Sequence, residues 1–286
     1  MPSTVALGSI SRVALVTGSN KGIGFEIAKK IGSEKGMKCI LGCRNEELGK
    51  LAVEALEKEG CDVSFLKLDL EDLDSIHNAV NTIRDTYGKC DVLVNNAAVC
   101  FNDPTLYGKV PHTPFAKQAE ITVKTNFQGT LALTQALLPI LSQSDSPRII
   151  NIASSAGRLT ILPSEERRDQ FSSNELTLEE LEGYMREFVV DAQNGSHLAK
   201  GWPNTGYGVS KVGIIAMTRI LAREHPKIMV NSVDPGYCRT DQNNNQGFVP
   251  PERGALTPFL LATLSDDQFY SGLHWYEEKA INWTYQ

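Results

Sequence analysis

Short apolar segments alternate with amphipathic segments through the first half of this sequence. Five of the apolar segments, rich in β-branched residues, lie at 12–17, 38–42, 63–68, 92–95 and 148–152, and each has the character of a buried strand. Between them, segments such as 47–59 and 73–87 place their apolar residues on one face of a helix. This alternation requires a parallel sheet with helices on both faces and right-handed crossovers. The sequence therefore predicts a doubly wound α/β fold, which binds its ligands at the carboxyl ends of the strands.

The chain is predicted to form a single domain over residues 1–286. No repeat, low-complexity tract or charge run interrupts it, and 41% hydrophobic residues suffice for a sizeable core. The sequence contains no run of 18 apolar residues, so we expect no membrane span. Residues 1–11 lack the basic and apolar regions of a secretory signal. The net charge of −6 argues against nucleic acid or an anionic membrane as a partner.

The cysteines and histidines carry no metal-site pattern. The six cysteines form no Cys-x-x-Cys pair, and the five histidines are scattered. A disulfide framework is typical of small secreted chains, not of a chain this long without a signal. We therefore expect free thiols, no metal and a cytoplasmic location.

A segment at about 160–203 departs from the strand–helix alternation. It contains a capping-box sequence from Thr177 to Glu180. One apolar helix face follows at Leu178, Leu181, Met185, Phe188 and Val189. The pattern predicts a helical insertion between the fifth strand and the next long helix.

A glycine-rich loop follows the first strand directly, with the sequence TGSNKGIG at 17–24. Glycine lets the backbone approach a pyrophosphate closely, and the helix that begins near Gly22 directs free N–H groups at the anion. The spacing is Gly-x-x-x-Gly-x-Gly, and by itself it indicates only a tight turn. Its position between the first strand and the first helix favours a dinucleotide site.

The end of the second strand indicates which dinucleotide binds. An acidic residue usually grips the ribose hydroxyls of NAD there, but this strand ends in Cys43 and Arg44. Arg44, with Lys21 from the glycine-rich loop, is suited to bind a 2′-phosphate. The alternative for Arg44 is an ordinary solvated arginine. Two basic residues without the acid favour NADPH.

Tyr207 and Lys211 lie four residues apart at the start of a helical segment, and so on one face. A nearby ammonium stabilises a phenolate, so we expect the pKa of Tyr207 to be lowered. Such a pair can exchange a proton with a carbonyl oxygen. The spacing alone is common among surface pairs.

Five motifs in this order resemble the short-chain dehydrogenases/reductases. They are TGSNKGIG at 17–24, NNAA at 95–98, NIAS at 151–154, the Tyr207/Lys211 pair and PGYCRT at 235–240. The resemblance covers nearly the whole chain. It implies a Rossmann-type fold and hydride transfer between a nicotinamide and a carbonyl carbon.

The resemblance also implies the catalytic roles. Tyr207 is the general acid, and Lys211 holds the nicotinamide ribose and tunes the tyrosine. Ser154 hydrogen-bonds the carbonyl oxygen, with Ser155 as the neighbour that could be confused with it. Asn126 matches the fourth catalytic residue, whose backbone supports a water that leads protons to the lysine.

The implied nucleotide contacts follow the same motifs. Asp69 matches an adenine contact, and Thr240 matches a contact on the nicotinamide side. The other contacts implied are Gly18, Asn20, Lys21, Gly22, Ile23, Gly24, Arg44, Leu70, Asn95, Ala97, Tyr207, Lys211, Pro235 and Gly236. The family usually has glycine where this chain has Ala98, which would cost something if that backbone needed positive φ.

The separation between Ser154 and Tyr207 points to one branch of the family. The monomeric NADPH-dependent carbonyl reductases of this family have a similar insertion, which covers the face through which other family members form oligomers. The alternative is that the insertion shapes only the substrate entrance. By this resemblance the chain is a monomer that reduces aldehydes, ketones and quinones. The substrate contacts predicted besides Ser154 and Tyr207 are Phe101, Trp202 and Tyr237, each of which could instead belong to the core, as could Val99 and Ala156.

Other interpretations remain open. One is an alcohol dehydrogenase, or a ketone reductase specific for one secondary metabolite. Another is a sensor that binds NADPH without turnover, although such proteins typically lose the tyrosine or the lysine. Cys100 and Cys238 flank the predicted site and could make it sensitive to oxidants, with two inert packed thiols as the alternative.

Overall fold

The computed structural model describes residues 12–101, 113–265 and 267–284. One sheet holds eight strands within these residues, in the order β3-β2-β1-β4-β5-β6-β7-β8. The strands are β1 Arg12–Thr17, β2 Met37–Cys43, β3 Val63–Lys67, β4 Val92–Asn95, β5 Arg148–Ile152, β6 Met229–Asp234, β7 His274–Tyr276 and β8 Lys279–Ile281. The residues for which we predicted no secretory signal, 1–11, lie outside the described residues.

All pairings between β1 and β7 are parallel, and β8 pairs antiparallel with β7. The predicted doubly wound α/β fold is therefore confirmed. The antiparallel edge strand was not predicted, because three-residue strands are too short to show a sequence period.

Helices cover both faces of the sheet. They are α1 Gly22–Gly32, α2 Glu46–Lys58, α3 Leu73–Tyr87, α4 Phe115–Thr122, α5 Thr130–Leu141, α6 Glu165–Ser172, α7 Leu178–Gln193, α8 Gly206–Glu224, α9 Pro251–Gly254 and α10 Leu256–Thr263. Successive strand residues face opposite layers, so Leu15 belongs to the core beneath α3, α5 and α8, and Val16 to the core beneath α1 and α10. Among the helices of the described residues, none combines the length and the apolar composition that a bilayer crossing needs.

The inserted segment forms α6 and α7. The predicted capping box is present, because Thr177 Oγ1 accepts a hydrogen bond from the Glu180 N–H and the Glu180 carboxylate accepts one from the Thr177 N–H. Leu181, Met185 and Phe188 are fully buried on the face of α7 that packs against α4 and α8. The insertion is thus joined to the helix that carries Tyr207.

Trp202 lies in the core of this insertion. Its side chain is fully buried, its Nε1 donates to Asp191 Oδ2 at 3.0 Å, and the Arg167 guanidinium lies 4.2 Å from its ring centroid. Lys200 Nζ binds the other oxygen of Asp191 at 2.6 Å. The predicted contact of Trp202 with substrate is corrected accordingly, because the indole packs inside the insertion instead of facing a pocket.

Candidate active site

A cavity of about 690 Å³ opens at the carboxyl ends of β1 to β4. Loops after these strands line it, together with a segment that follows β6. Its walls include most of the predicted nucleotide contacts: Gly18, Asn20, Lys21, Gly22, Ile23, Gly24, Arg44, Leu70, Ala97 and Thr240. Parallel strands bring these residues, distant in sequence, to one edge of the sheet.

The glycine-rich loop is held close to the loop after β4. Gly18 has φ +64°, and a Cβ on Gly24 would lie 2.4 Å from Asn96 Nδ2 and 2.6 Å from Gly18 O. The Asn96 amide donates to Thr17 O at 2.9 Å and to Gly18 O at 3.2 Å. Only glycine therefore fits at position 24. Asn96 fixes the loop, a role that sequence reasoning gave to no residue.

Asn95 was predicted to contact the nucleotide, but it faces the interior. Its Nδ2 donates to Thr134 Oγ1 at 3.0 Å and to Asn151 Oδ1 at 2.8 Å, and the residue is buried away from both cavities. The prediction is corrected, because alternate residues at a strand end point to opposite faces and the residue that reaches the cavity is Asn96.

Ala98 replaces the expected glycine without strain. It is not among the residues with positive φ, and it lines the cavity described above and a second one beside it. The backbone at this position therefore accepts a side chain. The methyl group simply forms part of the wall.

The two basic residues proposed for a 2′-phosphate line the cavity and form exposed ion pairs. Arg44 Nη1 lies 3.6 Å from Glu71 Oε1, and Lys21 Nζ lies 3.0 Å from Asp241 Oδ2. The side chains of Arg44 and Lys21 are 64% and 63% exposed, so these pairs are weak and exchangeable for a phosphate. The glycine-rich loop and the first turn of α1, with two cations at the rim, fit a dinucleotide that carries a 2′-phosphate.

Asp69 lies beside this cavity and not on its wall. Leu68 and Leu70 line the cavity, whereas the Asp69 carboxylate accepts a hydrogen bond from the Glu71 N–H at 3.0 Å. Its contact with adenine stays a prediction.

A second cavity of about 280 Å³ adjoins the first and contains the tyrosine–lysine pair. Its wall includes Cys100, Ser154, Ser155, Ala156, Tyr207, Lys211, Pro235, Gly236, Tyr237, Cys238, Thr240 and Gln242. Ile23, Asn96, Ala98, Thr240 and Gln242 line both cavities, so the two spaces meet there. A reactant in the second cavity is therefore adjacent to a nucleotide in the first.

The first turn of α8 presents Tyr207 to this cavity. Thr205 caps the helix by accepting a hydrogen bond from the Gly208 N–H at 3.0 Å. The Tyr207 hydroxyl is hydrogen-bonded by the side chains of Ser154 and Gln242. Ser154 Oγ also accepts from the Ala156 N–H at 3.1 Å, which fixes its orientation. The geometry thus selects Ser154, and not Ser155, as the partner of the tyrosine.

The pKa of Tyr207 is raised, not lowered as we had predicted. Burial is the largest cause, since a phenolate loses its hydration there; Cys100 and Asp234 act in the same direction, and the bonds from Ser154 and Gln242 oppose them. Lys211 Nζ lies 5.5 Å from the ring centroid and does not compensate for this burial. The tyrosine is consequently a neutral phenol at physiological pH.

Lys211 is buried beneath the tyrosine. Its Nζ donates to Ile152 O at 2.6 Å, and the residue is 3% exposed. Burial lowers the pKa of Lys211 to about 8, while Cys100 and Asp234 oppose that shift. Burial also raises the pKa of Cys100, so its thiol is uncharged near neutral pH.

Asn126 connects the loop after β4 to α8. It lies in the π-helical segment Val123–Gly129, a form that often marks functional sites. Its Oδ1 accepts from the Val99 N–H at 2.8 Å, and its Nδ2 donates to Val99 O at 2.9 Å and to Ser210 Oγ at 3.0 Å. Its side chain therefore cross-links two walls of the site. The backbone of Asn126 stays the predicted support for a water that leads protons to Lys211.

Tyr237 and Phe101 differ in their relation to the second cavity. Tyr237 lines its mouth, is 47% exposed and packs edge-on against Phe248 at a centroid distance of 5.8 Å. Phe101 is half-buried and lies off the wall of either cavity. The structure thus brings Tyr237 to the site, and the contact of Phe101 with substrate stays a prediction.

The surroundings of the two cysteines at the site raise the pKa of both thiols. All six cysteines are free thiols. Burial raises the pKa of Cys100 and raises that of Cys238 to about 11. Since the thiolate is the reactive form, these surroundings favour the inert alternative over oxidant sensitivity.

Comparison with known proteins agrees with this geometry. The family model described as short chain dehydrogenase matches residues 12–163. Carbonyl reductase (NADPH) 1 of Bos taurus is 39% identical over 285 residues, which cover 97% of this chain and 100% of the relative. The Homo sapiens protein of the same name is 40% identical over 264 residues, covering 89% and 92%.

Solved structures extend the comparison. Salutaridine reductase from Papaver somniferum superposes with a TM-score of 0.84 at 33% identity, covering 92% of this chain and 99% of that one. Menthone neomenthol reductase from Mentha piperita gives 0.80 at 33% identity, covering 94% and 99%. These comparisons confirm the resemblance seen in the sequence motifs. The chain belongs to the short-chain dehydrogenase family.

Proposed function

We propose that this protein is an NADPH-dependent carbonyl reductase, which reduces the carbonyl group of aldehydes, ketones and quinones to an alcohol. The observation that carries the proposal is the Tyr207 hydroxyl, bonded to Ser154 and facing a cavity that adjoins the nucleotide cradle. Relatives named NADPH carbonyl reductases, about 40% identical over nearly the whole chain, support the cofactor and the reaction.

NADPH, when bound, supplies the hydride that reaches the carbonyl carbon. Tyr207 donates its phenolic proton to the carbonyl oxygen, and Ser154 donates a hydrogen bond to the same oxygen. Lys211 stabilises the phenolate left on Tyr207. Gly18, Gly22 and Gly24 shape the cradle for the pyrophosphate, with Arg44 and Lys21 at the 2′-phosphate.

The protonation states favour reduction over oxidation. Burial keeps Tyr207 protonated, which is the form that a proton donor needs. The oxidation of an alcohol needs the phenolate instead, and burial disfavours it. Because the pKa of Lys211 is about 8, its charge is lost as the pH rises above that value, and we expect reduction to decline there.

We propose further that the protein acts as a monomeric, single-domain enzyme in the cytoplasm. The packing of α7 over α4 and α8 supports the monomer, since the insertion occupies a helical face that would otherwise be free to pair. The six free thiols support a reducing compartment. Asp69, Pro235 and Gly236 complete the proposed nucleotide contacts.

The test is the loss of NADPH absorbance with menadione, isatin, an aromatic aldehyde and a terpenoid ketone, repeated with NADH. We expect turnover of quinone and aldehyde with a strong preference for NADPH. Tyr207→Phe should lower kcat by about 100-fold or more because it removes the proton donor, while NADPH binding persists. Tyr184→Phe, in the inserted segment, is the matched control and should retain activity. Activity retained by Tyr207→Phe would show that another group donates the proton.

A ketone reductase specific for one secondary metabolite is the second candidate. Its support is the likeness to salutaridine reductase and menthone neomenthol reductase at 33% identity, together with the aromatic pair Tyr237–Phe248 at the mouth of the cavity. The same panel separates the candidates. Turnover of the terpenoid ketone alone would favour the specific reductase.

A further inference from the structure

Asp234 is a buried carboxylate that the proposed proton transfer does not use. It is the last residue of β6 and is 5% exposed. Its Oδ1 accepts a hydrogen bond from the Gly236 N–H at 2.9 Å, and its carboxylate also accepts from the Ser155 N–H. One side chain therefore holds both the turn after β6 and the turn after β5 that carries Ser154.

Several charged and titratable groups face this carboxylate from the neighbouring elements. The cations are Lys211 from α8 and Arg158 from the loop after β5. The charge of Asp234 also raises the pKa of three uncharged groups, which are Tyr207, Cys238 and Tyr276. Burial raises the pKa of Asp234, and the two N–H donors and two cations oppose that shift by favouring the ionised form.

The charge of Asp234 matters because Lys211 is buried too. An ammonium out of water loses hydration, and a carboxylate nearby is what keeps it protonated. Cys100, which also faces Lys211, is uncharged near neutral pH because burial raises its pKa. That leaves the carboxylate of Asp234 as the acidic group beside Lys211 that favours its protonated form.

We propose that Asp234 is a positioning residue for the reduction. It holds the backbone next to Ser154 in place and keeps Lys211 protonated under the tyrosine. The inference deepens the proposed function and rests on it. Asp234 acts through Ser154 and Lys211 and does not itself touch the reacting atoms.

Asp234→Asn and Asp234→Ala test the two parts of this role. Asparagine removes the charge and keeps an acceptor oxygen, whereas alanine removes both. Asp91→Asn is the matched control, because Asp91 is equally buried and accepts from the Val13 N–H at 2.7 Å. Asp91 precedes β4, at the opposite end of the sheet from Tyr207.

The first readout is the pKa of Lys211 in the ligand-free full chain, measured by NMR of ¹³Cε-labelled lysine and assigned with Lys211→Arg. We expect Asp234→Asn to lower this pKa by about 1 unit, and Asp91→Asn to leave it unchanged. A pKa that is the same in Asp234→Asn and in the parent would overturn the proposal.

The second readout is the pH profile of carbonyl reduction. In Asp234→Asn, the decline of kcat at alkaline pH should begin about 1 pH unit lower than in the parent. In Asp234→Ala, kcat should be about tenfold lower than in Asp234→Asn, with little change in KM, because Ser154 is no longer held in position. Equal kcat in the two variants would refute the positioning of Ser154. The NMR titration needs neither substrate nor nucleotide, so a parent that reduces no carbonyl would contradict the proposed function and not this inference.

Discussion

Replacement of Arg44 by alanine should separate NADPH from NADH binding. Arg44 lies on the wall of the nucleotide cavity and directly follows β2. A hydrogen bond to a charged group contributes about 1.5–3 kcal/mol, and the 64% exposure of Arg44 places its contribution near the lower end. A loss of about 1.5–2 kcal/mol corresponds to a roughly 10- to 30-fold weaker Kd for NADPH. NADH lacks the 2′-phosphate, so its Kd should not change.

Glu71 provides the opposite perturbation. Its Oε1 lies 3.6 Å from Arg44 and accepts a hydrogen bond from Thr125 Oγ1 at 2.8 Å, so it stays beside the arginine. Glu71→Gln keeps that acceptor and removes a negative charge near the phosphate. We expect NADPH to bind about two- to fivefold more tightly.

Fluorescence titration of each variant with NADPH and NADH, at two salt concentrations, measures these effects. The NADPH difference should shrink at high salt, because the contacts are exposed and therefore screened. A parallel loss of NADPH and NADH affinity in Arg44→Ala would show that Arg44 contacts a part common to both dinucleotides. That result would refute the assignment of the 2′-phosphate.

Two further predictions concern stability. Burial lowers the pKa of His274 from 6.5 to about 4. The neutral His274 therefore makes its full contribution to the free energy of unfolding above pH 6.5. That contribution, up to about 3 kcal/mol, is lost as the pH falls towards 4. Urea unfolding should show that His274→Asn loses less free energy of unfolding between pH 7 and pH 4.5 than the parent does, whereas the exposed His77→Asn should lose as much as the parent. The same dependence of the unfolding free energy on pH in all three proteins would contradict the reasoning. Asp191→Ala leaves the buried Trp202 Nε1 without its acceptor and should lower the free energy of unfolding by about 1–3 kcal/mol. The folded Asp191→Ala variant should still bind NADPH, since the insertion lies outside the nucleotide cradle, and a complete loss of binding would refute that separation.

The fold could be predicted from local pattern because its elements are long and periodic. The strands at 12–17 and 148–152 and the helix at 73–87 match the structure to the residue. The short β7 and β8 gave no such signal, because three residues cannot display a period. Their place at the sheet edge depends on the pairing of β7 with β6, across about 40 residues of chain.

The candidate site was predicted from motifs, and the errors share one cause. Asn95 was assigned to the nucleotide as part of the NNAA motif, and Trp202 was assigned to the substrate as part of the stretch before the catalytic helix. Both side chains are buried in the core instead. Asn96 was missed although it belongs to the NNAA motif, and Gln242 was missed because it belongs to no pattern that the sequence shows by spacing. Which neighbour reaches a cavity depends on the direction of its side chain, and packing sets that direction.

The sequence by itself determined the class of the fold, the nucleotide loop and the pairing of Tyr207 with Lys211, because each follows from periodicity or from spacing along one element. The tertiary structure alone decided the protonation of that pair. Burial raises the pKa of Tyr207 and lowers that of Lys211, and it brings the carboxylate of Asp234 from another strand to face them. Hydration and charge depend on what surrounds a group in space, and residues far apart in the chain supply those surroundings.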